Sequence, residues 1–186
     1  MSKETENKEL KTGLIEVKIK EFEILSVLIS PDSEIFADRI ELYGKEINTI
    51  SAEGHVHVVR DEGSMEFNSQ NLFYDRKRGL VQIKGPAVIF YRDRDITING
   101  NYIEHWYHKN ETFVRSEARL IGVGLEAHAE FMHYFRDEQL FKLSGLPMLT
   151  WKENEYRAVN ICLELNTDRI VLTGKVSGEV LTQERL

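Results

Sequence analysis

Four glycines set inside alternating apolar segments, Gly54, Gly85, Gly145 and Gly174, fall on a common ruler. Successive marks stand 29 to 31 residues apart once Ser116, between Gly85 and Gly145, is admitted as a fifth. A period of this length is the signature of a repeat architecture. Each unit has one apolar face and buries it only by stacking on its neighbours. Four and two residues before each mark, and two and four after it, stand Ile50, Ala52, Val56 and Val58, then Val81, Ile83, Ala87 and Ile89. The third set is Thr112, Val114, Ala118 and Leu120, the fourth Phe141, Leu143, Pro147 and Leu149, and the fifth Ile170, Leu172, Val176 and Gly178. The position just before each mark is mostly polar: Glu53, Lys84, Arg115, Ser144 and Thr173. This is period two, a half-buried strand repeated five times, and a helix cannot produce it.

The same ruler places the turns. Asp75-Arg76-Lys77-Arg78-Gly79, His108-Lys109-Asn110 and Asn166-Thr167-Asp168 precede the marks, and Arg60-Asp61-Glu62-Gly63 and Gly122-Val123-Gly124 follow them. Each unit therefore reads as a shorter strand, a turn, a longer strand carrying the mark at its centre, and a second turn. A glycine in mid-strand signals a bulge or sharp bend. Five bends in register would fold the sheet over an edge, giving an all-β, stacked-repeat antiparallel jelly roll, flattened and open-ended, of about a dozen strands or slightly more. Residues 1–12 read as a disordered tail, residues 13–34 as N-terminal capping strands, and residues 35–186 as the repeat jelly roll, one domain with 13–34.

Composition narrows the function classes. The chain has 186 residues with 24 Lys+Arg against 31 Asp+Glu, and this acidic balance argues against nucleic acid as a partner. A single cysteine, Cys162, forms no internal disulfide, and no Cys/His spacing resembles a zinc site. No apolar run reaches the ~18–20 residues of a membrane-spanning helix. The polar opening MSKETENKELKT is no signal peptide.

The units resemble the OstA-like lipopolysaccharide-transport family, of the LptA, LptC and LptD N-terminal-domain type. The resemblance rests on Phe36-Ala37-Asp38-Arg39-Ile40-Glu41-Leu42-Tyr43 followed by Ala52-Glu53-Gly54-His55-Val56-His57-Val58, and on the closing stretch from Ile161 through Asn166, Thr167 and Asp168 to Gly174, Val176 and Gly178. It spans roughly residues 35–180, with Ser116 in place of a glycine and no Ala-Asp opening in the third and fourth units. It implies a jelly roll whose interior holds the acyl chains of lipid A. It also implies that the ends pair with other jelly-roll transport components or with further copies through edge strands. The implied setting is the periplasm, with a signal or anchor trimmed from this chain.

On that reading, Val56, Val58, Val81, Ile83, Ala87, Ile89, Val114, Ala118, Leu120, Phe141, Leu143, Leu149, Ile170, Leu172 and Val176 line a lipid groove. Alternation alone favours a solid core, as in a structural β-solenoid scaffold or a polysaccharide-binding module, and it is the resemblance that reverses this preference. The edges in turn are either pairing surfaces or covered by the chain termini. His55 and His57 read as solvent-facing, and no metal or other cofactor is expected. Arg76, Lys77, Arg78, Arg92 and Arg94 could meet phosphates but also suit hairpin tips. Cys162 reads as a small packed side chain, and Trp106 and Trp151 as sheet-end caps or sugar-stacking rings. With no nucleophile elbow, P-loop or dinucleotide fingerprint, the expectation is a protein that is not an enzyme.

Overall fold

The computed structural model describes residues 17–19, 25–30, 33–44 and 47–179. The tail expected at 1–12 and the last residues, 180–186, lie outside the described residues. One antiparallel sheet of 16 strands runs through the chain. It begins with β1 (Val17–Ile19), β2 (Leu25–Ser30), β3 (Ser33–Ala37) and β4 (Arg39–Tyr43). Six long strands follow: β5 (Thr49–Arg60), β6 (Met65–Asp75), β7 (Leu80–Tyr91), β8 (Ile96–Trp106), β9 (Glu111–Gly122) and β10 (Leu125–Phe135). Six short ones close it: β11 (Leu140–Ser144), β12 (Met148–Trp151), β13 (Asn154–Arg157), β14 (Asn160–Glu164), β15 (Arg169–Thr173) and β16 (Ser177–Glu179).

The marks are where the strands bend. Gly54, Gly85, Gly145 and Gly174 have φ of 72°, 96°, 76° and 91°, and Ser116 joins them at 60°. Left-handed backbone inside a strand breaks the ladder and turns the chain. Pairing registers accordingly shift between Glu53 and Val56, between Lys84 and Ala87, and between Ala129 and Phe131. The neighbouring strands β6 and β8 bend at the same level without a left-handed glycine, Gly100 of β8 keeping an ordinary φ, and their registers shift between Asn68 and Leu72 and between Asn99 and Tyr102. Both strands of a unit are thus long, where a short and a long one were expected. The ruler hung only on the glycine-bearing strand, and the returning strand bends by bulging against it.

Every long strand is thereby shared between two layers. Layer one holds β4, the first half of β5, the second half of β6, and so on alternately to β11, β14 and β15. Layer two holds β1, β2, β3, the complementary halves, and then β12, β13 and β16. In the outer units the bend separates the halves into independent strands, as at Gly145-Leu146-Pro147 between β11 and β12. The bends form a spine, and the hairpin turns of both layers meet along the opposite rim. One continuous core lies between the layers, from Ile35 to Leu163. The layers pack closely enough that a Cβ on Gly100 of β8 would lie 2.2 Å from Cγ1 of Val114 in the facing layer.

Candidate functional site

Period-two alternation puts every second side chain between the layers. Val56, Val58, Val81, Ile83, Ala87, Ile89, Val114, Ala118, Leu120, Phe141, Leu143 and Leu149 are all buried there in the one apolar cluster. Ile170 and Leu172 of β15 are only partly buried, packed against the end of that cluster, and Val176 is 50% exposed. The residues read from the sequence as groove lining therefore divide into a buried interior set and a partly exposed set at the C-terminal end. The returning strands supply as much of the interior: Met65, Phe67, Ile96, Ile98, Ile103 and Met132 are equally buried. Their signal was the same alternation, read from the turns instead of from the glycines.

The rim side of the interior, next to the hairpin turns, holds a polar belt. His105 and Thr112 are fully buried on layer one, and Tyr91 faces them from layer two. Thr112 Oγ1 lies 2.9 Å from His105 Nδ1 and 2.6 Å from the Tyr91 hydroxyl. Arg60 Nη1 donates to His105 Nε2 at 3.3 Å, which fixes the tautomer: Nε2 accepts, so Nδ1 carries the proton and donates to Thr112. Burial, then the charges of Arg60 and Arg136, push the His105 pKa down to about 3, so the imidazole is neutral. Burial pushes the Tyr134 phenol up to about 12, and its ring stacks on Phe141 at 4.1 Å. None of these residues was singled out as a site in the sequence, since a buried His–Thr–Tyr contact leaves no spacing motif.

The rim is clasped across the layers. Arg60 covers the Tyr107 ring at 4.1 Å, Arg136 reaches Asp93 at 3.0 Å, and Lys152 reaches Asp168 at 2.6 Å. Each contact joins the two layers at their turn ends, Arg60 from the last position of β5 and the others from turns. Elsewhere the candidate residues stand apart. His55 bonds Asp38 at 2.7 Å and His57 bonds Asn68 at 2.8 Å, both outside the core. Cys162 pairs in register between Lys142 and Val171 on the outer face, half-buried, and is not part of the core. Trp151 is buried in layer two, whereas Trp106 lies under the Lys109 ammonium at 5.4 Å. An outer depression of about 320 Å³, lined by Glu53, Asn71, Phe73, Gln82 and Lys84 among others, lies outside the core. Among the described residues no group of three or more His, Cys, Asp or Glu side chains is disposed to hold a metal ion.

Comparison with known proteins places this geometry. No family model matches the chain, and no curated protein matches it in sequence. Among solved structures it is similar to LptH of Pseudomonas aeruginosa, described as the LptA-homologous periplasmic component of the conserved lipopolysaccharide transport device. The two share 16% sequence identity with a TM-score of 0.55, over 81% of this chain and 95% of that one. The likeness noted in the repeats thus holds in three dimensions, at the level of fold. This chain has the open β-jelly-roll architecture of the LptA-type lipopolysaccharide-transport components.

Proposed function

We propose that this protein is a non-enzymatic lipopolysaccharide carrier of the periplasm, which shields lipid A acyl chains between its two layers and relays them towards the outer membrane. The observation that carries the reading is the single apolar interior running the length of a jelly roll built like LptH and ending in a half-open mouth at Ile170 and Leu172. Transferring a methylene out of water contributes ~0.8 kcal/mol, so several acyl chains bind without any charged contact. The side chains already fill the interior, so a chain enters by parting the layers. Contacts between side chains are then exchanged for contacts with lipid at little net cost, and dehydration of the lipid supplies the gain. The spine, with left-handed residues at each mark, is the hinge for such parting, and the clasped rim is the side that opens. The carrier has no energy source of its own, so directionality comes from its partners. The proposed partners are further jelly rolls paired through the edge strands.

The filled middle of the interior favours a second reading, a structural β-solenoid scaffold or a polysaccharide-binding module with a solid core. A photoreactive side chain at Ile83 or Leu143 separates the two. The carrier reading expects capture of lipopolysaccharide in cells. A folded protein that captures no lipid from either position would leave the scaffold.

A further inference from the structure

We propose that the rim where Arg94 and Arg136 converge on Asp93 is an anion-binding site for the phosphate of an acidic lipid headgroup, with the resident carboxylate standing where the ligand's oxyanion would sit. The inference rests on the carrier reading and gives its rim a chemistry. Arg94 and Asp93 belong to the short 3-10 turn Arg92–Arg94 of layer two, and Arg136 follows β10 in layer one. One oxygen, Asp93 Oδ2, accepts from Arg136 Nη2 at 3.0 Å and from Arg94 Nε at 3.4 Å. Two guanidiniums from opposite layers thus share a single carboxylate oxygen. Their side chains are only 14% and 29% exposed, so the cations are partly desolvated and an anion between them is only weakly screened. The two guanidiniums come from opposite layers of a chain of net charge −7, so their meeting at one seam is a product of the fold and not of composition.

The ground beneath the two arginines is shaped for an amphipathic ligand. The Tyr134 hydroxyl is buried, makes no hydrogen bond among the described residues, and feels the charges of Arg94, Arg136, Asp93 and Asp137. It is a spare donor within the field of the same cations. Behind it Tyr134 stacks on Phe141 and meets Tyr91 edge-on at 5.2 Å, and from there the interior is hydrocarbon. Arg136 also lies over the Tyr91 ring at 5.5 Å. Passing inward, the order is therefore guanidinium, phenol, aliphatic core, which matches phosphate, glycerol or sugar, acyl chain. Among the described residues Asp93 and Asp137 are competing anions, and Asp137 is already engaged by Asn110 Nδ2 at 3.0 Å. A phosphate presents three or more acceptor oxygens where Asp93 presents one to the pair, so it can take both guanidiniums at once and in the bidentate geometry they favour. Its arrival would displace Asp93 and release this cross-layer contact, so that headgroup binding loosens the rim through which the tails enter.

The test compares two ligands with identical tails, dioctanoyl phosphatidic acid and dioctanoyl glycerol, with inorganic phosphate as a third arm, titrated into the full chain. The site expects the phosphatidic acid to bind about tenfold more tightly than the neutral lipid. Arg136→Gln and Arg94→Gln should remove that preference and leave the neutral lipid's affinity in place. Asp93→Asn, which takes away the resident competitor, should strengthen phosphatidic acid binding, an effect opposite in sign to that of losing a structural ion pair. Tyr134→Phe should weaken it severalfold. If Arg136→Gln fails to fold by circular dichroism, Arg136→Lys keeps the charge without the fork and should lose most of the preference. Competition by inorganic phosphate would show that the anion binds on its own; preference without competition would show that it binds only with its tails. Equal binding of the two lipids, or a preference that survives both arginine variants, overturns the anion site and leaves the carrier reading standing. Phosphate binding without either lipid overturns the carrier and keeps the site, and no binding of any of the three overturns both.

Discussion

Two single residues decide how close the layers come and what lies between them. Gly100 has an ordinary backbone conformation, so its lack of a side chain is a matter of space: Cγ1 of Val114 occupies the place of its Cβ. Gly100→Ala should destabilise the fold by about 1–3 kcal/mol through overpacking. Val114→Ala alone should also destabilise, by opening a cavity. The double variant should cost less than the two together, a coupling read from urea midpoints in a double-mutant cycle. Independent additivity would mean that the close approach carries no energy. His105 sets a second expectation. Its folded pKa lies near 3 against an ordinary 6.5, with Arg60 and Arg136 as the charged groups facing it and Phe67, Tyr107 and Thr112 as its other neighbours. A base whose folded pKa is depressed contributes stability that is present above the unfolded value and lost as pH falls below it. Stability should therefore decline by up to about 1.4 kcal/mol per pH unit from this group alone between pH 6 and 5, above the range where carboxylates titrate. His133, whose pKa burial also lowers against the pull of Glu111, adds a smaller decline in the same direction. In His105→Gln the overall stability should be lower, but the slope between pH 6 and 5 should shrink. An unchanged slope would place the imidazole in contact with water.

At the scale of strands and turns, layer and rim carry different weights. Leu143 is central to β11 and buried, flanked in register by Met132 and Ile161. Leu143→Asp places an unpaired charge in the core and should abolish cooperative folding, seen as loss of the thermal transition. Lys152 and Asp168 also bridge the layers, yet their side chains are 58% and 64% exposed. Water and salt screen such a pair, so Lys152→Ala should change the urea midpoint by no more than about 0.5 kcal/mol in free energy. This division explains what could be read from the sequence. The spine was legible because φ near +70° demands glycine, or a tolerant Ser116, at a fixed interval, and the interior rows were legible because burial demands alternation. The bends of β6 and β8 were not, because neither holds a left-handed residue: β6 bulges without a glycine, and Gly100 of β8 has an ordinary φ and lies off the thirty-residue ruler. Nor was the polar belt: it joins Arg60 to His105 across 45 residues and Tyr91 to Thr112 across 21, and only the folding of each strand over the spine brings them together. Cys162, read as a small packed side chain, sits half-buried on the outer face, one position out of phase with the buried Ile161 and Leu163.

Over the whole molecule, stability is close to a sum of units and of the interfaces between them, so the ends are the weak points. Amide exchange should be slowest in β7, β8 and β9, which are paired along both sides, and fastest in β15 and β16, each paired on one side among the described residues. Those same ends hold the assembly chemistry of the proposed carrier. Among the described residues β15 is paired on one edge only, and facing the mouth it carries the half-buried Ile170 and Leu172, so a second jelly roll docking there would continue both the sheet and the apolar interior. Ile170→Asp and Leu172→Asp each put a charge at that mouth, where it remains hydrated in the single molecule and would be stripped of water in an end-to-end pair. Each variant should keep a thermal transition within a few degrees of the parent while losing concentration-dependent association in light scattering. Arg169→Ala, on the outer face of the same strand where it pairs with Glu164 at 3.2 Å, should associate like the parent. Association that survives both aspartates would move the contact away from this end of the stack.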